Sequence, residues 1–200
     1  MKNKDDFLNM SDKDKDKDKD KSISSILSND EKDRFIYLSG SVDEDKAKDV
    51  IEKLLELQTA DPMEEITMVI NSGGGDIYSM FAITDMMDNI YTPIRTICLG
   101  TAQSAAAFIF TCGTKGRRFM TKHSSLMIHQ VSGGAGGTTK DIDVQVREIK
   151  FLQNEMNEEI TKRSDLSKNE IEKLIDRDFY IRPQQAIEYG LCDDIIKRIS

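Results

Sequence analysis

Apolar positions along this chain change period several times, and each change marks an element. Phe35-Ile36-Tyr37-Leu38 is a short apolar run closed by Ser39-Gly40, the pattern of a strand. Over residues 43–58, Ala47, Val50, Ile51, Leu54, Leu55 and Gln58 recur at helical spacing with acids in the first turn, which predicts an amphipathic helix. Ile66-Thr67-Met68-Val69-Ile70 predicts a strand broken by Ser72-Gly73-Gly74-Gly75. A helix over about 77–89 follows, then Pro93 and a strand from Ile94 to Leu99. Next comes a small-residue helix over about 103–112, with Gly113 as its C-cap.

The second half continues the alternation. Strands are predicted at about 117–121 and 125–130, then a Gly/Ser/Thr stretch at 132–139 and a long helix over about 139–163. Ser167-Lys168-Asn169-Glu170 is a capping box that opens another helix. Asp178-Phe179-Tyr180-Ile181 reads as a strand, a short helix follows Pro183, and a last strand runs through Ile195 and Ile196 after Gly190. Strand and helix joined by short links predict an α/β domain with mostly parallel strands. No repeat of fixed period argues for a solenoid.

The first 33 residues differ in kind. Residues 12–21 are Asp-Lys repeated, a charge-balanced run with no apolar area to offset chain entropy. We expect residues 1–33 to be a disordered charged extension and residues 34–200 to be the folded domain. Composition adds exclusions. A net charge of −8 argues against nucleic acid or an anionic membrane as the main partner. No apolar run approaches the roughly 20 residues that span a bilayer, and no hydrophobic segment follows Met1 as a secretory signal requires. Cys98, Cys112 and Cys192 lie in apolar stretches without metal-binding spacing, so buried reduced thiols and a cytoplasmic location are expected.

Two strand-to-helix junctions carry small residues, and such junctions aim backbone N–H groups at a common point. At the first, Gly73-Gly74-Gly75 allows close backbone approach; it matches neither GxGxxG nor the P-loop, which disfavours a nucleotide. At the second, Ser104 precedes Ala105-Ala106-Ala107. Twenty-five residues on, His129 is one of only 2 histidines. Imidazole is the usual base that activates a serine near neutral pH. Each feature alone has a plainer reading: a helix N-cap for Ser104, a satisfied core residue for His129, and a loop histidine for His123.

Taken in order, Ile70-Asn71-Ser72-Gly73-Gly74-Gly75, Gly100-x-x-x-Ser104-x-Ala106-Ala107, Met127-Ile128-His129-Gln130, Asp176-Arg177-Asp178 and Ala186-Ile187-Glu188-Tyr189-Gly190-Leu191 resemble the proteolytic subunit of the Clp protease. The resemblance implies a ClpP/crotonase-like spiral of ββα units with a protruding handle, the long helix at 139–163 and a Gly-rich strand before it. It implies Ser104 as nucleophile, His129 as general base and Asp178 as the acid that orients the imidazole. Asp176 falls outside the matching position. Gly75 and Ala105 would supply oxyanion N–H groups, and Arg177 would sit at a ring–ring contact. The implied assembly is a double ring of two heptamers that cleaves unfolded polypeptide. No metal or organic cofactor is implied in this subunit; ATP would be used by a partner AAA+ unfoldase.

Three positions depart from the family's usual pattern: Gly73 and Val131 stand where proline is usual, and Arg182 replaces a small polar helix cap. Residues 1–33 do not resemble the family's axial-pore segment. Alternative readings are a Clp-like peptidase working without the usual ATPase, as in viral shell-protein processing, a crotonase-type acyl-CoA enzyme, and a non-catalytic ring subunit. The joint presence of Ser104, His129 and Asp178 disfavours the last two.

Overall fold

The computed structural model describes residues 34–199, so the expected charged extension at 1–33 lies outside the described residues. From Phe35 onward the described residues form seven strands and six helices, which alternate except at two places where two strands and then two helices follow one another. The elements are β1 (Phe35–Val42), α1 (Glu44–Ala60), β2 (Ile66–Gly75), α2 (Ile77–Asn89), β3 (Ile94–Gln103) and α3 (Ala105–Thr111). They continue with β4 (Arg118–Thr121), β5 (Ser125–Ile128), α4 (Thr139–Arg163), α5 (Lys168–Leu174), β6 (Phe179–Ile181), α6 (Pro183–Glu188) and β7 (Asp194–Ile196).

The expected α/β class with mostly parallel strands holds. Strands run β1-β2-β3-β4-β7 along the main path, each pair parallel. Ile66–Ile70 of β2 are all buried, as befits a central parallel strand covered on both faces. The third strand changes partners. Its residues Thr96–Cys98 pair with β4, whereas Thr101–Gln103 pair with β5. Between them Gly100 has φ +85, a backbone state that glycine enters without steric cost, and Asn71 Oδ1 lies 3.0 Å from where a Cβ would stand. Strand β5 then pairs antiparallel with β6.

Packing follows from the same pattern. Leu38, Leu54, Ile66, Ile70, Ile83 and Phe110 are fully buried, each contributing about 1.5–3 kcal/mol of transfer free energy. Helix α3 lies against β2 and β3, and Phe108 meets Phe81 of α2 edge-on at 6.0 Å. Helix α4 has 25 residues, a length of about 37 Å. A Thr138–Asp141 capping box opens it, and its buried residues Leu152, Met156, Asn157 and Ile160 all fall in the second half. Ile142, Val144 and Val146 of the first half are exposed, so this half stands away from the core as a handle would.

Four local expectations change. Strand β2 is not broken at Ser72 but runs through the glycines to Gly75, with register shifts against both neighbours. Helix α3 starts at Ala105 rather than 103, because Gln103 still pairs with Met127 in the sheet. Gly113 is not the C-cap, which is Cys112. Its constraint is space, since a Cβ would lie 2.3 Å from Thr96 Oγ1. The Gly-rich stretch before α4 forms no strand, since residues 131–138 find no ladder partner among the described residues.

The three cysteines are free and buried as expected, and burial pushes Cys98 and Cys112 up to about 12 and Cys192 to about 11. No helix among the described residues is long and apolar enough to cross a membrane.

One charged pair closes the C-terminal edge. Arg118, 4% exposed at its side chain, donates from its backbone N–H and Nε to Asp193 Oδ2 at 2.8 and 3.0 Å, and from Nη2 to Oδ1 at 2.7 Å. Its Nη1 donates to the Arg163 carbonyl at 2.8 Å, anchoring the end of α4. Burial pushes the Asp193 carboxyl up, but hydrogen bonds and charge from Arg118 outweigh it and hold the group below the usual carboxylate range. Because the folded value lies below the unfolded one, this stabilisation is present above about pH 3.9 and is lost as pH falls through the folded value. Asp193→Ala is expected to lower the unfolding free energy by about 3–5 kcal/mol in denaturant melts at neutral pH. The difference between wild type and Asp193→Asn should shrink in acid. A wild-type midpoint for the alanine variant would show that the pair does not hold this edge.

Candidate active site

The site is built where β2 and β3 end side by side. At the end of β3, Ser104 takes φ 52 and ψ −123 and is the only non-glycine residue with positive φ among the described residues. Such a conformation costs about 1–3 kcal/mol and persists only where neighbours enforce it. The Ser104 N–H donates to the Met127 carbonyl at 2.8 Å, holding the turn against β5. Although it occupies the N-cap position of α3, its side chain makes no capping bond. The hydroxyl instead lies 2.8 Å from His129 Nε2.

Strand register delivers the other two groups. His129 follows β5 and Asp178 precedes β6, and the last ladder pair between those strands is Ile128↔Phe179. Extending the antiparallel register by one residue sets Asp178 opposite His129. Asp178 Oδ1 and His129 Nδ1 are 3.6 Å apart, ion-pair reach but longer than a hydrogen bond. The imidazole is mostly enclosed at 26% side-chain exposure, whereas the carboxylate is 62% exposed. An acceptor beside Nδ1 favours the tautomer whose Nε2 is free to take a proton from Ser104. A serine, a base and an orienting acid in this sequence can perform nucleophilic acyl transfer.

Glycines shape the facing wall. A Cβ on Gly74, which has φ +88, would lie 2.5 Å from the Gln103 carbonyl oxygen and 2.8 Å from Ser104 Cβ. At Gly75 it would lie 2.2 Å from the Val42 carbonyl oxygen, so β1, and not only a ligand, requires glycine there. Gly73 faces open space, and no contact demands glycine at that position. Gly75, Ser104, Ala105, His129, Met80 and Met156 line a cleft of about 150 Å³. The Ala105 N–H belongs to the first turn of α3, where backbone donors have no partner within the helix.

The remaining expected residues fall nearby or elsewhere. Arg177 is exposed, with its guanidinium donating to the Asp176 carbonyl at 3.4 Å. Asp176 lines the open side of the site with Asp178, but the ion pair with His129 is made by Asp178. His123 lies exposed in the β4–β5 turn. Among the described residues no group of His, Cys, Asp or Glu could hold a metal ion.

Sequence reading missed Ser72. Its buried hydroxyl donates to the Gly40 carbonyl at 2.5 Å and accepts from the Gly74 N–H at 3.0 Å, strapping the glycine segment to β1. A serine before glycines is a turn signal, but its partner 32 residues away has no local trace. Gly74→Ala is expected to slow acylation of Ser104 by a fluorophosphonate probe by about tenfold or more, because the new methyl displaces the nucleophile turn. Labelling at the wild-type rate by a folded Gly74→Ala variant would show that the close approach is dispensable.

The Clp protease family profile matches residues 17–199. The chain is 41% identical over 167 residues to ATP-dependent Clp protease proteolytic subunit 1 of Prochlorococcus marinus subsp. pastoris, covering 84% of this chain and 85% of that protein. It is 39% identical to proteolytic subunit 2 of Parasynechococcus marenigrum, again over 84% of this chain and 85% of the relative. With a profile match across most of its length and relatives near two-fifths identity, this chain belongs to the Clp protease family.

Proposed function

We propose that this chain is the serine peptidase subunit of an ATP-dependent Clp protease. The observation that carries the reading is the 2.8 Å contact between Ser104 Oγ and His129 Nε2 at a turn whose backbone strain serves no capping bond. In the proposed reaction Ser104 Oγ attacks the scissile carbonyl while His129 Nε2 takes its proton, and Asp178 orients the imidazolium that forms. The N–H groups of Gly75 and Ala105 receive the oxyanion, each worth about 2.7–4 kcal/mol in the transition state. His129 then protonates the leaving amine, and water, deprotonated by the same base, releases the acyl group from Ser104. A narrow apolar slot beside Ser104, lined by Phe108, Leu126, Ile128, Met156, Ile160 and Leu191, offers about 10 Å³, too little for a substrate side chain unless it widens. The family assignment and the complete serine, base and acid set disfavour the acyl-CoA and non-catalytic readings.

Assembly is part of the proposal. Ile142, Val144, Val146 and Phe151 of α4 are exposed, and residues 131–138 lack a ladder partner among the described residues, so both gain cover from a second copy. We read these as supporting two stacked heptameric rings, with exposed Arg177 at the contact between them. Within such a chamber the subunit needs no cofactor of its own. ATP serves a partner AAA+ unfoldase that delivers unfolded polypeptide, in keeping with protein quality control. Three buried free thiols suit a reducing cytoplasm.

Ser104→Ala is expected to reduce hydrolysis of small fluorogenic peptides by about ten-thousand-fold or more and to abolish labelling by a fluorophosphonate. Wild-type turnover in that variant would remove Ser104 from the mechanism. Solution mass tests the assembly separately: fourteen copies of the 22.7 kDa subunit are expected, and a monomer under the conditions of full activity would contradict the rings.

A further inference from the structure

One polar network outside the triad reaches the base from α4. Val131 lies two residues beyond His129, and its backbone N–H donates to Gln153 Oε1 at 2.6 Å. Gln153 Nε2 donates in turn to Asn157 Oδ1 at 2.8 Å. Asn157 is 4% exposed, and the two amides stand one turn apart on the same face of the helix. The pairing has a direction. A glutamine amide can point either its oxygen or its nitrogen at a neighbour, and a backbone N–H requires the oxygen. By accepting Nε2, Asn157 holds the Gln153 amide in the orientation that presents Oε1 to Val131.

That orientation matters because of what lies on either side. Strand β5 ends at Ile128, and residues 131–138 have no ladder partner among the described residues. His129 therefore sits on a short span between a paired strand and an unpaired segment. The Gln153 bond fixes the first residue of that segment, and Val131 also packs against the hydrophobic core. A proline at 131 would restrict the backbone covalently through its ring but would offer no N–H. With valine there the restraint has to come from outside the backbone, and an acceptor at 153 supplies it.

We propose that Gln153, oriented by Asn157, is a positioning residue for His129, holding the chain beyond the imidazole so that Nε2 stays in line with Ser104 Oγ. The proposal rests on the peptidase reading above and adds to it a mechanical link from the handle helix to the base. Neither amide touches substrate; they act only through the backbone of residues 129–131. A loosened base lowers the fraction of complexes in which the Ser104 proton can be taken, so the loss appears in turnover more than in substrate affinity.

The test uses the full-length assembled protein, with kcat and KM measured on a small fluorogenic peptide and acylation timed with a fluorophosphonate. Gln153→Ala is expected to lower kcat by about tenfold or more, with KM within about twofold and acylation slowed in parallel. Gln153→Glu retains an acceptor for the Val131 N–H and should keep kcat within about threefold of wild type. The double variant Val131→Pro with Gln153→Ala removes the donor and restores restraint through the ring; it should recover most of the lost turnover. Unchanged kcat and acylation in Gln153→Ala would refute the clamp. So would a loss that neither the glutamate nor the proline background restores, since that pattern means packing alone. A wild-type protein that the probe fails to label would instead bring down the peptidase reading, and the clamp with it.

Discussion

The structure of this site depends on one close approach, that of the ends of β2 and β3. Gly74 and Ser104 stand so near that a single methyl on Gly74 would lie 2.8 Å from Ser104 Cβ. Two strands in regular register do not meet this way. Here β2 shifts register against both β1 and β3, and Ser72 ties the shifted segment to the Gly40 carbonyl. The positive φ of Ser104 is the counterpart of that shift on the other strand. Its cost, about 1–3 kcal/mol, is matched only at its lower end by the one hydrogen bond from its N–H to Met127, about 0.5–1.5 kcal/mol. Burial of Ala105, Ala106 and Ala107 in the following helix covers the difference. Small residues on both sides of Ser104 are therefore a packing requirement whatever the chemistry there.

A second constraint follows from the change of partner along β3. Pairing with β4 and then with β5 lets a single strand serve two parts of the sheet, and the left-handed backbone at Gly100 marks the handover. The consequence reaches the chemistry. Because β5 pairs parallel with β3 on one edge and antiparallel with β6 on the other, residues 129 and 178 meet by register although 49 positions separate them in the sequence. Ser104 and His129 are thus set by strand ends, which hold side chains more rigidly than loops do. Asp178 is less constrained, since its carboxylate is the most exposed of the three side chains and lies 3.6 Å from His129 Nδ1.

What was legible in the sequence divides along the same line. Local periodicity located all seven strands and the helices between them, because burial on one face leaves a period of its own. Ser104 and His129 were visible as candidates from residue type, and the family resemblance linked them to Asp178. Long-range geometry was not visible. The glycines at 73–75 read as a break, whereas β2 continues through them; the pairing that makes them strand belongs to β1 and β3. Gly113 read as a helix cap, whereas Thr96, seventeen positions earlier, is what excludes a side chain there. Ser104 read equally well as an N-cap, and only the position of His129 shows where its hydroxyl points. In each case the missing quantity was register, which no window of local pattern contains.

Two of the departures from the family pattern can now be weighed physically. Gly73 and Val131 each stand where a ring usually stiffens the backbone, one beside the glycine wall and one beyond the base. Replacing a proline costs about 0.4–1 kcal/mol through the unfolded chain, the same order as one net hydrogen bond, about 0.5–1.5 kcal/mol. Next to Gly73 the Ser72 hydroxyl makes two such bonds, and at Val131 the Gln153 amide makes one. The comparison of magnitudes means that stability is nearly indifferent to the exchange. Geometry is not, because a ring restrains one dihedral whereas these side chains bind their segments to β1 and to α4. Each segment is therefore tied to a neighbouring element, the glycine segment to β1 through Ser72 and the segment after His129 to α4 through Gln153.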